Sequence, residues 1–106
     1  MDLKMEDLRK LAEEGSVKWT QHAMKRMRER GIKMDAVYEC IQIGEIIKQY
    51  PDDRPLPSCL LCAVNEEKAI HVVLSSDGEF INIITAYYPS EEIWEADFKT
   101  RKAGKE

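Results

Sequence analysis

The residues best placed to do chemistry are His22, Arg26 and Arg30, spaced four apart in the segment Trp19-Thr20-Gln21-His22-Ala23-Met24-Lys25-Arg26-Met27-Arg28-Glu29-Arg30-Gly31-Ile32. Four-residue steps on a helix place side chains in one neighbouring row. A row of one imidazole and two guanidiniums suits an anion. The imidazole can act as a base or acid near neutral pH, and forked guanidinium donors hold phosphate oxygens. Residues 18–33 hold six cations (Lys18, Lys25, Arg26, Arg28, Arg30, Lys33) against Glu29. That is a local net of +5 in a chain of formal net −4, so the remainder carries −9. The helix N-terminus and the nearby cations both disfavour a charged imidazole at His22. The bland alternative is a solvated basic helix with an incidental histidine.

His71 is the other histidine, inside the apolar run Ala69-Ile70-His71-Val72-Val73. A histidine there needs a hydrogen-bond partner, because an unpaired buried polar group costs roughly 1–3 kcal/mol. It is either a satisfied structural residue or the second member of an acid/base pair with His22. Two histidines flanking a phosphodiester could divide the work, one taking a proton from a ribose 2′-hydroxyl and the other protonating the leaving oxygen. Thr85, Tyr87, Tyr88, Trp94 and Arg101 crowd the C-terminal part, where a tyrosine can stack on a base, donate a proton or simply finish a sheet edge. Lys25 and Arg54 are further candidates for phosphate contact.

Cys59-Leu60-Leu61-Cys62 has the CxxC form. A strand sends those two thiols to opposite faces, and one such pair is too few for zinc, so buried packing is the expected role. With Cys40 the cysteines number three, an odd count that suits reduced thiols. No metal or other cofactor is expected. Glu13-Glu14, Asp52-Asp53 and Glu91-Glu92 read as solvated surface.

These residues need elements to hold them. At 106 residues and 43% apolar composition the chain is expected to be one globular domain over 1–106. No apolar run approaches the roughly 18 residues of a membrane span. Met1-Asp2-Leu3-Lys4 forms no signal peptide, so the expected location is the cytoplasm. The spacing predicts a first helix capped by Asp2, with Met5, Leu8 and Ala12 on one stripe and a stop at Gly15. A second helix is capped by Thr20, ends at Gly31, and turns Ala23, Met24 and Met27 inward. A third starts near Met34 or Asp35, buries Val37, Cys40 and Ile41, and stops at Gly44.

Strands follow over 45–50, 59–64, 69–76 and 79–88, with three prolines making 51–58 a loop. Asp77-Gly78 is a two-residue hairpin signal. That register pairs Leu74 with Ile81, Val72 with Ile83 and Ile70 with Thr85 on the helix side, and places His71 on the other face. Tyr87 also falls on the helix side. Ser90 is expected to cap a short last helix carrying Ile93 and Trp94. The result is an α+β domain: two to three N-terminal helices on a roughly four-stranded antiparallel sheet, with a short C-terminal helix.

The block at 19–32, "Gly-Glu-Ile-Ile-Lys-Gln-Tyr" (44–50), "Pro-Ser-Cys-Leu-Leu" (57–61), "Ile-His-Val-Val" (70–73) and "Ile-Ile-Thr-Ala-Tyr-Tyr-Pro" (83–89) follow in order. Together they resemble a family of small prokaryotic proteins known as a domain of unknown function, with a His-Ala-x-x-Arg-Met block. That family is similar in layout to toxins of the RelE/BrnT/MqsR group, within the barnase–colicin–RelE class. The resemblance implies a RelE-like fold and metal-free RNA cleavage leaving a cyclic phosphate. It also implies an antitoxin protein encoded by a neighbouring gene. It maps the family block to His22 and Arg26, the strand histidine to His71, and the last-strand motif to Thr85 and Tyr87.

The expectation is therefore an endoribonuclease toxin. Its catalytic residues are His22, His71, Arg26 and Tyr87, and Arg30, Lys25, Arg54 and Thr85 hold RNA. RNA and the antitoxin are the expected partners, with no membrane, and self-association into a homodimer is compatible with the sequence. The alternative is a non-catalytic interaction module with a basic docking helix. A third reading is a Cys/His metal binder.

Overall fold

The structure is a computed structural model, described over residues 2–66 and 68–102. Helix α1 spans Met5–Glu13, strand β1 Val17–Trp19, α2 Gln21–Arg30 and α3 Met34–Ile43. Strands β2 (Glu45–Tyr50), β3 (Ser58–Asn65), β4 (Lys68–Ser76) and β5 (Ile81–Tyr87) follow. The sheet order is β1-β5-β4-β3-β2. It has five strands and is mixed, because β1 runs parallel to β5 while the other pairs are antiparallel. The expected four-stranded antiparallel sheet is corrected in this respect. Three residues of strand between two helix signals carry too little pattern to be legible.

The helices form where their ends are satisfied. The Thr20 hydroxyl accepts the Ala23 N–H at 3.0 Å, and Gly31 ends α2 with φ of 68°, as expected. Helix α1 starts at Met5 after Lys4, without a side-chain cap, so Asp2 does not cap it. Glu6 and Asp7 in its first turn and Lys10 in its last complement the helix dipole instead. The Arg9 guanidinium donates to the carbonyls of Ile41 (3.3 Å) and Gly44 (2.9 Å), which ties α1 to the end of α3.

All three helices pack on one face of the sheet. Leu8, Leu11, Ala23, Met27, Val37 and Ile41 meet Cys59, Leu61, Val72, Leu74, Ile81 and Ile83 in one buried cluster. The period-2 alternation of strands therefore sends Leu60, Cys62, His71 and Val73 to the opposite face.

Two features of β5 decide where the candidate residues go. Asp77 Oδ1 accepts the N–H groups of Glu79 and Phe80, both at 2.9 Å, which makes residues 77–80 a four-residue loop with Ser76 opposite Ile81. A bulge at Ile84 then brings Thr85 opposite Val73, Ala86 opposite Val72 and Tyr87 opposite His71. Thr85 and Tyr87 thus leave the helix side and join His71 on the second face, correcting the two-residue-turn register.

The expected C-terminal helix does not form. Residues 91–93 make a single turn, with Ser90 Oγ accepting the Glu92 N–H at 3.1 Å. The chain then doubles back. Glu95 N donates to Thr100 O and Lys102 N to Ile93 O, both at 2.8 Å, and Trp94 bridges Arg101. This strap lies against the second face, where Trp94 is buried. Among the described residues no helix is long and apolar enough to cross a membrane.

Candidate functional site

His71 is fully buried, between β5 and the strap. Its Nε2 lies 2.7 Å from the Phe98 carbonyl oxygen, and its Nδ1 lies 3.2 Å from the Tyr87 hydroxyl. A carbonyl can only accept, so Nε2 carries the proton and Nδ1 accepts from the Tyr87 O–H. The Trp94 ring meets the imidazole edge-on at 4.6 Å between centroids. The Cys62 thiol, directly across the strand pair from His71, also donates to Phe98 O at 3.6 Å. Burial pushes the imidazole below its usual 6.5, and the Phe98 carbonyl offsets part of that. Phe98 itself sits at φ 58°, a left-handed conformation that turns its carbonyl inward at a cost in backbone energy.

Tyr87 links this buried group to the surface. It is half-buried. Burial pushes its phenol above the usual 10, the nearby Tyr50 adds to this, and the positive charges of Arg101 and Arg30 pull it back. Arg30 reaches the stretch of β5 beyond the three residues paired with β1, donating to Thr85 Oγ1 at 3.1 Å and to the Ala86 carbonyl at 2.9 Å. Arg101 lies over the Trp94 ring at 5.7 Å. Arg30, Thr85, Tyr87, His71 and Arg101 therefore form one cluster: a phenol in contact with a neutral imidazole, with one guanidinium on the neighbouring Thr85 and another over the Trp94 ring that packs on His71.

Four of the sequence candidates meet there: His71, Tyr87, Arg30 and Thr85. The others do not. His22 is exposed in the first turn of α2, a helix on the opposite side of the sheet from the His71 ring, so the two histidines do not flank a common group. The Arg26 guanidinium pairs with Glu29 at 3.1 Å on the exposed side of α2. Lys25 is exposed on the same helix. Arg54 lines a separate recess with Asp2, Lys4 and Asp7. Spacing along α2 was legible, but which sheet face it meets is a tertiary fact.

Arg101 in the cluster, and Cys62 and Phe98 beside His71, were not among the site residues expected from the sequence, although Arg101 belongs to the crowded C-terminal part. Cys62 carried a signal in its strand parity, opposite to Cys59. Phe98 contributes a backbone carbonyl, which no residue type announces. Cys59 and Cys62 do face opposite sides of the sheet. Burial pushes the Cys40 and Cys59 thiols up to about 12, so both behave as packing groups. Among the described residues no three His, Cys, Asp or Glu side chains converge as a metal-ligand set.

A family model described as a domain of unknown function, DUF4258, matches residues 19–88, well over half of the chain. The matched segment contains His22, Arg30, His71, Thr85 and Tyr87 and stops just before the strap that bears Trp94, Phe98 and Arg101. No curated protein and no solved structure shows a significant match.

Proposed function

The chain belongs to the DUF4258 family, and we propose that it is a metal-independent endoribonuclease, the toxin of a toxin–antitoxin pair, working through the Tyr87 cluster. The observation that carries the reading is the relay from the Phe98 carbonyl through His71 to a half-buried Tyr87 phenol near the positive charges of Arg30 and Arg101. Helices on one face of a largely antiparallel sheet are compatible with a RelE-like arrangement, a likeness of layout that supports the reading only by analogy.

The nucleophile is the substrate's own ribose 2′-hydroxyl. Its oxygen bonds to phosphorus as the bond from phosphorus to the 5′ oxygen breaks, leaving a 2′,3′-cyclic phosphate and a 5′-hydroxyl end. The 2′-hydroxyl proton passes to the Tyr87 oxygen while the phenolic proton moves to His71 Nδ1. The Phe98 carbonyl steadies the imidazolium through Nε2–H. Arg30 and Arg101 stabilise the charge that grows on the phosphate, and Thr85 holds Arg30 in place. The departing 5′ oxygen takes its proton from water, and the hydroxide left behind takes the proton that His71 returns through the Tyr87 oxygen, which restores the neutral imidazole and the phenol. His71 touches no substrate and is a positioning and proton-holding residue. Arg26 and Lys25 contribute only a basic approach surface for the RNA backbone, and His22 takes no part.

Wild type and Tyr87→Phe, expressed in a bacterium and purified for assay on RNA oligonucleotides, test the reading. Wild type should degrade RNA to cyclic-phosphate ends, and the variant should be slower by roughly 10²-fold or more. Intact RNA with wild type sinks it. The second reading is a non-catalytic module that docks a partner through α2. It is favoured by Lys25 and Arg28, exposed cations in no ion pair among the described residues. It predicts that Tyr87→Phe changes nothing measurable in RNA. Under the toxin reading the partner is an antitoxin from a neighbouring gene.

A further inference from the structure

We propose that the trough between the C-terminal half of α2 and the start of α3 docks an acidic amphipathic helix of a partner protein. The trough has a volume of about 510 Å³. Met27 and Ile32 form its buried floor, Met24 and Met34 its walls, and Arg28 and Lys33 its rim.

Three observations choose the occupant. The lining is apolar and rich in methionine, whose flexible thioether side chains adapt to apolar side chains of a partner and have no use for phosphates. The walls are two helices with no free strand edge, so a partner is read by its side chains, as an apolar helix face laid into a groove. The rim is positive. Neither Arg28 nor Lys33 belongs to an ion pair among the described residues, and Asp35 is the one acid in the lining. The first turn of α3 opens there without a side-chain cap and with Asp35 to offset its positive end, so the positive charge of the rim rests on Arg28 and Lys33. A chain of net −4 that leaves these cations unneutralised around an apolar floor is complementary to acids flanking apolar residues.

The inference does not rest on the nuclease reading. Arg30, in the same turn as Arg28, is directed away to Thr85 and Ala86, so the trough and the Tyr87 cluster can be disabled separately.

The test is a titration of the ¹⁵N-labelled full chain with two synthetic helical peptides sharing one leucine pattern, with Glu or Lys at their polar positions, and with oligouridine. The Glu peptide should bind saturably, shifting the amides of Met24, Met27, Arg28, Ile32 and Met34. The double variant Arg28→Glu/Lys33→Glu should weaken it by about tenfold or more while keeping a native, dispersed spectrum. No saturation by the Glu peptide, tighter binding of the Lys peptide, shifts centred on Tyr87, or the same shifts produced by oligouridine would each overturn the proposal. RNA cleavage by wild type or its absence has no bearing on the outcome.

Discussion

Tyr87 stands directly opposite His71 across the β4–β5 pair, and its hydroxyl donates to His71 Nδ1 at 3.2 Å. With Nε2–H given to the Phe98 carbonyl at 2.7 Å, both ring nitrogens are used and the imidazole is held neutral. The contact joins the molecule's most buried titratable ring to a group that opens on its surface.

That arrangement fixes a pH dependence. The folded-state value of His71 lies below the 6.5 of the unfolded chain. The unfolded state therefore takes up a proton first as pH falls. Stability is full above about pH 6.5 and declines between there and the lowered folded value. Urea midpoints measured from pH 7.5 downward should show this decline, and His71→Gln should remove it. Asp77 and Asp97, held below their usual 3.8 by backbone N–H groups, act only at much lower pH and leave that window clear.

His22→Ala is expected to be silent in both stability and RNA cleavage. The side chain is exposed and makes no hydrogen bond among the described residues, and such surface changes usually stay within about 0.5 kcal/mol. A loss of cleavage equal to that of Tyr87→Phe would return the site to α2.

Arg30→Ala removes the two donors that reach Thr85 and the Ala86 carbonyl, and about 1 kcal/mol of stability with them. RNA affinity should fall as well, and the slope of affinity against salt should flatten by about one phosphate contact. Both bonds leave the one nitrogen Nη1, so an ammonium has donors enough for both acceptors; Arg30→Lys should recover the charge, and only part of the binding because its stem is shorter and its charge more strongly hydrated.

Trp94→Ala takes away the ring that packs edge-on against His71. Truncating a buried tryptophan costs about 3 kcal/mol or more. In the NMR titration of the imidazole, the His71 midpoint should move up toward the ordinary histidine value as the strap loosens. An unmoved midpoint would mean that the strap does not govern burial of the ring.

Gly44→Ala should be among the most damaging single changes, at about 3 kcal/mol by thermal denaturation. The backbone there has φ −85°, open to any residue. Space is the obstacle, because an added Cβ runs into the Cys40 carbonyl oxygen and comes within 2.8 Å of that of Cys62.

What depends on near neighbours is legible in the chain alone. Thr20 and Gly31 set the ends of α2 because caps bond within a few residues. Gly44 ends α3 and passes the chain into β2. The strand parity of β3 placed Cys59 and Cys62 on opposite faces, and the apolar side of β4 placed His71 away from the helices, since pleating reverses every side chain in turn.

Tertiary structure decided the rest. Asp77 drew two N–H groups into a four-residue loop, and the bulge at Ile84 turned Thr85 and Tyr87 over to the face of His71. A slip of one residue in a strand exchanges its faces, and the choice is made by competition among distant partners. Likewise, no local pattern revealed that residues 93–102 fold back over His71 in place of a helix, or that α2 and the imidazole lie on opposite sides of the sheet. His22, Arg26 and Arg30 were correctly read as neighbours. Only packing showed that, of the three, Arg30 reaches the end of β5 beyond β1 and meets the cluster.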